Sequence, residues 1–283
     1  MYSAAELAAK SSKIITLPDI YLRLLKLIYD KNSTVQQMAD LITLDAGLAA
    51  RLLKIANSSF YSFPSEVETV HRAITVIGSR ELSNLVLATS VATSFKGIPE
   101  DLIDMDGFWR HNVDTGMIAH YLGRKLRLRG SERLFVVGLL HNIGKMIVLN
   151  EVPALGQQAL DIAPGQVPWV HEQEVMGFTF ADCGQQLLSI WGLPPAVVEG
   201  VACQHHPETA EADPVGAAIV HIASRTASFL EQRAGDSQAV DFMGLIRSAA
   251  WEVSGLSEDD MSEAIEYAEL EAWNILSLIT TTI

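Results

Sequence analysis

The sequence predicts an all-α fold, and three observations support this prediction. Along most of the 283-residue chain, apolar residues recur at spacings of three and four, the period of a helix with one buried face. We find no convincing run of alternating apolar and polar residues bounded by turn signals, so strands are not expected. The run from Leu134 to Leu149 is apolar on nearly every side, which is typical of a helix buried inside a bundle.

The N-terminal part of the chain predicts a lobe of short helices. Thr34 and Gln37 form a plausible capping box, and Gly78 separates two helices, the second starting at Ser79. The helices are expected at about 18–29, from Thr34 onward, and at about 45–57, 67–77 and 79–95. The segment 96–99, Lys-Gly-Ile-Pro, then predicts a junction between an N-terminal helical lobe (1–98) and a second lobe (99–283).

The second lobe predicts a larger helical bundle. Acidic residues after the junction favour a helix N-terminus, and this helix carries His111. The buried run follows, and a looser stretch from Asn150 to Pro168 is expected to be a connection. Further helices are expected at about 169–176, 182–191, 195–204, 214–233 and 241–253.

An acidic helix ends the chain, opening at a Ser-x-x-Asp cap made by Ser257 and Asp260. Its apolar positions step by four and three, as in a coiled-coil seam. They are Met261, Ile265, Ala268, Ala272, Ile275 and Ile279. Two interpretations stay open: the helix docks on its own core, or it forms the seam of a homodimer.

Composition excludes several classes of partner. The formal net charge of −14 argues against a nucleic-acid-binding surface, because phosphate contacts need clustered cations. The two cysteines, Cys183 and Cys203, have neither a metal-pair spacing nor a disulfide framework, which suits a reducing compartment. No secretory signal and no stretch of about 20 apolar residues occurs, so we expect no membrane partner and a cytoplasmic location.

Three polar residues interrupt the buried run: His141, Asn142 and Lys145. A buried polar group needs a partner or a function. Imidazoles from separate helices can build a metal site in a bundle, although a single histidine is more often a hydrogen-bonded core or surface residue. The candidate histidines are His111, His141, His205, His206 and His221.

Several further motifs accompany these residues in a fixed order. They are Leu17-Pro18, Ala50 to Ser58, Ala73-Ile74 with Gly78, Glu174 to Phe178, and Trp191 to Pro194. From about residue 14 to about residue 230, this pattern resembles the HDOD family, the HD-related output domain of bacterial signalling. That family is a branch of the HD superfamily of metal-dependent phosphohydrolases. The resemblance implies a multi-helix HD-like bundle with an additional N-terminal helical lobe.

The resemblance also implies a metal site, and this sequence departs from it. Active HD proteins hold a divalent ion with an early His, a His-Asp pair and a downstream Asp. Here His111 and His141 match, but Asn142 and Ser224 stand at the two Asp positions. Phe180 stands where many relatives carry a further His. Because hard cations such as Mg²⁺ need anionic oxygens, the catalytic ion is not expected.

What remains is a vestigial site. We assign no catalytic residue and no cofactor; Asn142 is expected to be structural, hydrogen-bonding across the bundle, and Lys145 to be a remnant of a phosphate contact. A softer divalent ion could bind weakly to a histidine set. That set is His111, His141, His205 and His206.

A rescuing carboxylate is an open alternative. The candidates near the matching segments are Asp114, Glu172, Asp182, Glu199 and Glu208. Asp114, one turn from His111, is the first of these, but we favour solvated or capping roles for all five. Gly138 and Gly144 are expected to let another helix approach closely.

One basic run stands out, at Arg124, Lys125, Arg127, Arg129 and Arg133. Cations there are expected to complement a helix C-terminus and a solvated loop. The alternative is an anion site for a nucleotide or an acidic partner, with Lys145, Arg124, Arg127 and Arg129 as candidates.

Two functions are therefore open. Loss of both Asp residues favours a non-catalytic bacterial signal-transduction module that acts through contacts with other signalling proteins. The surviving His and Lys residues favour the alternative, a metal-dependent phosphohydrolase or phosphodiesterase acting on a nucleotide or phosphodiester. We expect the first.

Overall fold

The computed structural model describes residues 2–13, 15, 17–58, 61, 63–94, 102–234 and 240–280, and within these residues it contains helices and no strand. The predicted all-α fold is confirmed. In chain order the helices are α1 (Ala4–Ser11), α2 (Asp19–Tyr29), α3 (Val35–Thr43), α4 (Ala46–Ala56), α5 (Val70–Ile77), α6 (Ser79–Ser94), α7 (Met105–Lys125), α8 (Glu132–Leu140), α9 (Ile143–Glu151), α10 (Pro153–Leu160), α11 (Pro168–Met176), α12 (Phe180–Ile190), α13 (Pro195–Ala202), α14 (Pro214–Ala234), α15 (Ser248–Ser254) and α16 (Asp259–Thr280), with a 3₁₀ turn at Pro207–Thr209.

The chain divides into two compact units. The larger comprises Met1–Thr16 and Gly97–Leu270, and the smaller comprises Leu17–Lys96 and Glu271–Ile283. The junction predicted at 96–99 lies outside the described residues, and the division into lobes 1–98 and 99–283 stays a prediction.

The smaller unit holds the short helices α2 to α6. The capping box predicted at Thr34 is confirmed, since the Thr34 hydroxyl accepts the Gln37 N–H and the Gln37 side chain accepts the Thr34 N–H. Gly78 ends α5 with a φ of 97°, a conformation that residues with a Cβ rarely adopt. The unit is held by apolar side chains such as Leu52, which is fully buried.

The larger unit is built around the long helix α7, which packs against α8 and α14, while α9 packs against α12. Two glycines allow the backbones of neighbouring helices to approach each other closely. A Cβ on Gly138 would lie 2.5 Å from Gly116 Cα, and a Cβ on Gly144 would lie 1.8 Å from the Phe180 carbonyl oxygen. The predicted packing role of Gly138 and Gly144 is confirmed.

The prediction of a single central helix is wrong, although its predicted burial is confirmed. Helix α8 ends at Leu140 and α9 begins at Ile143, with His141 and Asn142 forming a turn between them. Nearly every residue of both helices is buried. Apolar patterning detects burial, but it does not record a change of direction when both helices are buried on all sides.

Three further boundaries differ from the prediction. Residues of the expected connection form α10, because Pro153 stands at a first helical position, where its missing N–H costs no hydrogen bond. Helix α1 was missed, although Ser3 and Glu6 form a capping box. Helix α15 begins at Ser248 rather than at about residue 241, since turns precede it and Asp241 accepts the Gly244 N–H.

Helix α16 buries four of the five seam positions whose side chains are described, and the fifth, Ile265, is half-buried. Met261, Ala268, Ala272 and Ile275 are at most 3% exposed, and Ser257 donates to Asp260 as the predicted cap. The opposite face carries Leu270 and Trp273, each 68% exposed.

One described stretch, Glu132–Glu151, has the length and apolar character to cross a membrane, but 83% of its most apolar part is buried inside the protein. This stretch contains α8 and α9, so its hydropathy is explained by their position in the core. Cys183 and Cys203 are both free thiols.

Candidate functional site

A cavity of about 320 Å³ lies in the larger unit, where the turn between α8 and α9 meets α7, α11 and α14. Most of the residues that the sequence singles out line this cavity, although they are far apart in the chain. The polar residues at its wall include His111, His141, Asn142, Lys145, Glu172, Gln204, His205, Ser224, Arg225 and Glu231.

His111 and His141 form a pair at one side of this cavity, with their Nε2 atoms 3.2 Å apart. His141 Nδ1 donates to the Gly138 carbonyl, so its Nε2 is the acceptor for His111. Glu231 Oε2 lies 3.3 Å from His111 Nδ1, and a neutral His111 ring can donate to His141 or to Glu231 but not to both. Burial lowers the pKa of both imidazoles, which keeps the pair neutral at physiological pH.

Arg225 follows Ser224 on α14 and is only 4% exposed. One guanidinium nitrogen donates to the Ser224 hydroxyl at 2.6 Å, and another donates to His205 Nδ1 at 2.8 Å. The guanidinium also lies 4.5 Å from the centre of the Trp169 ring, which stacks on His205. Burial lowers the pKa of Arg225 to about 9, which still leaves a cation at neutral pH.

Lys145 and Asn142 reach the cavity from α9 and from the turn that precedes it. The Lys145 ammonium forms no hydrogen bond or ion pair within the described part of the chain, and burial lowers its pKa. The Asn142 side chain likewise makes no hydrogen bond to a described residue, so the predicted bond across the bundle is not formed. Lys145 is therefore a half-buried cation without a direct partner.

Of the five carboxylates considered as rescuers, one lines the cavity. Glu172 accepts the Phe180 N–H at 2.9 Å, and burial raises its pKa to about 7. The other four are engaged elsewhere: Asp114 with Arg110, Asp182 as the cap of α12, Glu199 with the N–H groups of 211–213, and Glu208 with Arg247. The capping interpretation fits Asp182 and Glu199, whereas Asp114 is a buried ion-pair partner and Glu208 pairs with an arginine.

The remaining predicted residues lie apart from the histidine pair. His206 lies 3.5 Å from Glu208, while His221 bonds to backbone groups on both ring nitrogens and is a core residue. In the basic run, Lys125 pairs with Asp260 and Arg133 with Asp213. Arg124, Arg127 and Arg129 are exposed and do not line the cavity.

The resident side chains do not fit the divalent metal that the resemblance implies. The histidine pair could supply two ligands to a soft ion, but among the described residues no group of three or more His, Cys, Asp or Glu is arranged to hold one. Ser224 bonds to a cation instead of offering a carboxylate, and Lys145 adds a second positive charge. The four predicted histidine ligands stay a prediction that this geometry does not support as a set.

Sequence reasoning missed two important residues of the cavity, Arg225 and Trp169. Arg225 was visible only as the neighbour of Ser224, because nothing in a sequence pattern indicates that an arginine points into a core. Trp169 opens a helix in a segment whose apolar pattern is equally typical of packing.

The fold and the site together define the class: an all-helical domain with a polar cavity around a histidine pair. The HDOD domain family matches residues 14–207, more than half of the chain, so the protein belongs to the HDOD family.

Three solved structures illustrate the relationship. A candidate phosphohydrolase from Shewanella amazonensis SB2B is 25% identical, with a TM-score of 0.73 and 99% of each chain covered. A candidate signal transduction protein from Marinobacter aquaeolei VT8 is 21% identical, with a TM-score of 0.69, 96% of this chain covered and 60% of that one. An HDOD domain protein with unknown function from Geobacter sulfurreducens is 20% identical, with a TM-score of 0.67, 99% of this chain covered and 98% of that one. Comparison with curated proteins finds no match.

Proposed function

We propose that this protein is a non-catalytic signalling module of the HDOD family that acts through contacts with other signalling proteins. The observation that supports this proposal is the replacement of the metal-binding carboxylates. Ser224 stands at one Asp position and bonds to the buried guanidinium of Arg225, and Asn142 stands at the other.

The chemical consequence follows from the role of the ion in hydrolysis. A metal lowers the pKa of its bound water and so generates the nucleophile. Two neutral imidazoles beside two cations neither attract a hard divalent ion nor replace its effect on water. The cavity then keeps its shape without the hydrolytic chemistry.

Metal analysis and a phosphodiesterase assay test the proposal. We expect purified protein to contain no stoichiometric metal and to show no turnover of bis(p-nitrophenyl) phosphate above background with Mn²⁺, Mg²⁺ or Ni²⁺. His141→Ala and the exposed control His71→Ala should behave like the wild type. Turnover that is abolished by His141→Ala and retained by His71→Ala would overturn the proposal.

The alternative, a metal-dependent phosphohydrolase, is favoured by one specific observation. The Nε2 atoms of His111 and His141 lie 3.2 Å apart, close enough to bind a common ion. A structurally similar protein at 25% identity is described as a candidate phosphohydrolase. The same assay separates the two functions.

The proposal includes a cytoplasmic location and protein partners rather than nucleic acid or a membrane. The net charge of −14 supports the exclusion of nucleic acid, and the burial of Glu132–Glu151 supports the exclusion of a membrane. Affinity capture of the tagged protein from its native cells, with identification by mass spectrometry, tests the partner class. Recovery of nucleic acid or lipid in place of signalling proteins would contradict it.

A further inference from the structure

Two cations line the cavity without a carboxylate bonded to either. Lys145 makes no hydrogen bond or ion pair within the described residues. Arg225 is 4% exposed, donates to a hydroxyl and an imidazole, and keeps a buried Nε that has no hydrogen-bond partner among the described residues. A buried donor left unsatisfied costs free energy, so a bound acceptor would be stabilised here.

The acidic groups at the wall are already engaged. Asp104 accepts the N–H groups of Asp106 and Gly107 at the start of α7. Glu231 lies 3.3 Å from His111, and Glu172 accepts the Phe180 N–H. Because burial raises the pKa of Glu172 to about 7, this carboxyl carries only part of its charge at neutral pH. Glu172 and Glu231 lie near enough to attract the Lys145 ammonium electrostatically, but no described carboxylate bonds to Lys145 or Arg225, so the donors of both cations stay available to a ligand.

The rest of the cavity wall is suited to contact the apolar part of a ligand. Phe108, Leu160, Ile162 and Phe242 line the cavity, and Trp169 presents an aromatic ring beside Arg225. The volume of about 320 Å³ lies at the lower end of the range of roughly 300–1,000 Å³ that small-molecule sites occupy. This combination matches a small molecule with one charged end.

We propose that the cavity binds a small organic oxyanion directly, without a metal ion, with Lys145 and Arg225 holding the charged end and the aromatic wall holding the body. The guanidinium of Arg225 supplies positive charge in a site that in catalytic relatives is built around an ion. The inference rests on the proposed non-catalytic function, because a divalent ion bound in the cavity would itself bind the charged end of the ligand. It identifies the cavity as a sensory site of the signalling module.

Isothermal titration of chelator-treated protein tests this inference. Phenyl phosphate and benzoate carry the same ring and distinguish a phosphate from a carboxylate as the charged end. Inorganic phosphate lacks the ring, and benzyl alcohol lacks the negative charge. We expect one phenyl-bearing anion to bind at one site per chain, at least tenfold more tightly than inorganic phosphate or benzyl alcohol.

Two variants test whether the positive charge at the cavity wall contributes to binding. Lys145→Met should weaken binding at least tenfold, and so should Asn142→Asp, which adds a negative charge to the wall with almost no change of shape. Arg124→Met, which removes an exposed cation outside the cavity, should leave affinity unchanged. Circular dichroism measures whether each variant is folded. If Lys145→Met does not fold, Asn142→Asp still tests the proposal.

The outcomes separate this inference from the proposed function. Absence of heat at millimolar concentrations of both phenyl-bearing anions, or binding that the folded variants do not weaken, overturns the inference and leaves the proposed function intact. Binding that requires added Mn²⁺, together with release of phosphate from phenyl phosphate, overturns both. Metal-independent binding lost in both variants supports the inference.

Discussion

Single substitutions decide the electrostatic character of this HDOD cavity. Asn142 and Ser224 remove two negative charges relative to the HD pattern, and the buried Arg225 bonds to Ser224. A carboxylate at either position would lie beside Lys145 or Arg225 and neutralise it. On the proposal made above, the exchange of these two side chains makes the cavity better suited to an anion than to a divalent cation.

Glu172 provides a prediction about pH at the residue scale. Burial raises its pKa from 4.5 to about 7, so the folded protein binds this proton more tightly than the unfolded chain does. The stabilisation is fully present below pH 4.5 and is lost as the pH rises through about 7. A shift of this size corresponds to about 3 kcal/mol of unfolding free energy.

We expect Glu172→Gln to be more stable than the wild type by an amount that grows from near zero at low pH to about 3 kcal/mol above neutral pH. Urea titrations across the pH range measure the difference. The matched control is Glu174→Gln, which removes an exposed glutamate from the same helix and leaves the buried carboxyl in place. A difference for Glu172→Gln that does not vary with pH would show that folding leaves the pKa of Glu172 unchanged.

At the scale of elements, the cavity depends on close contact between helices. Gly144 lets α9 reach the backbone of α12, since a Cβ there would lie 1.8 Å from the Phe180 carbonyl oxygen. Phe180 in turn donates its N–H to Glu172 across the cavity wall. The absence of a side chain at Gly144 therefore allows α9 and α12, which form two walls of the cavity, to pack closely.

Gly144→Ala should destabilise the protein by at least about 1–3 kcal/mol, because a backbone atom must move to admit the methyl group. Chemical denaturation measures this loss. Gly47→Ala is the control, since a Cβ on this helical glycine would meet side-chain atoms and no backbone, namely the end of Arg51 at 3.3 Å and Asp45 Oδ1 at 3.4 Å. That variant should be neutral or more stable by up to about 1 kcal/mol through helix propensity. Equal effects in the two variants would contradict the close contact.

At the scale of the whole molecule, α16 decides between monomer and homodimer. Four of the five described positions of its predicted seam are buried in its own chain and Ile265 is half-buried, so we expect a dimer through this helix to use the opposite face with Leu270 and Trp273. We expect a monomer in sedimentation velocity at micromolar protein concentrations. A dimer that dissociates on Trp273→Glu, but not on substitution of the exposed Tyr29, would instead establish the homodimer interface.

Much of the fold could be predicted from local patterns. The capping box at Thr34, the break at Gly78 and the buried run around His141 each depend on residues within a few positions of one another. The order of motifs was sufficient to identify the family. The boundaries of α8 and α9 could not be predicted, because burial hides the amphipathic pattern that locates helix ends.

The sequence by itself was sufficient to identify the HDOD family, and the resemblance to that family implies that Asn142 and Ser224 stand where catalysts carry Asp. Only the tertiary structure decided that Arg225 and Lys145 share a cavity with the histidine pair while Asp114 does not. The physical reason is that local patterns report which residues favour a helix or a core. Which charges meet across a cavity depends instead on contacts between helices far apart in the chain, and those contacts exist only after folding.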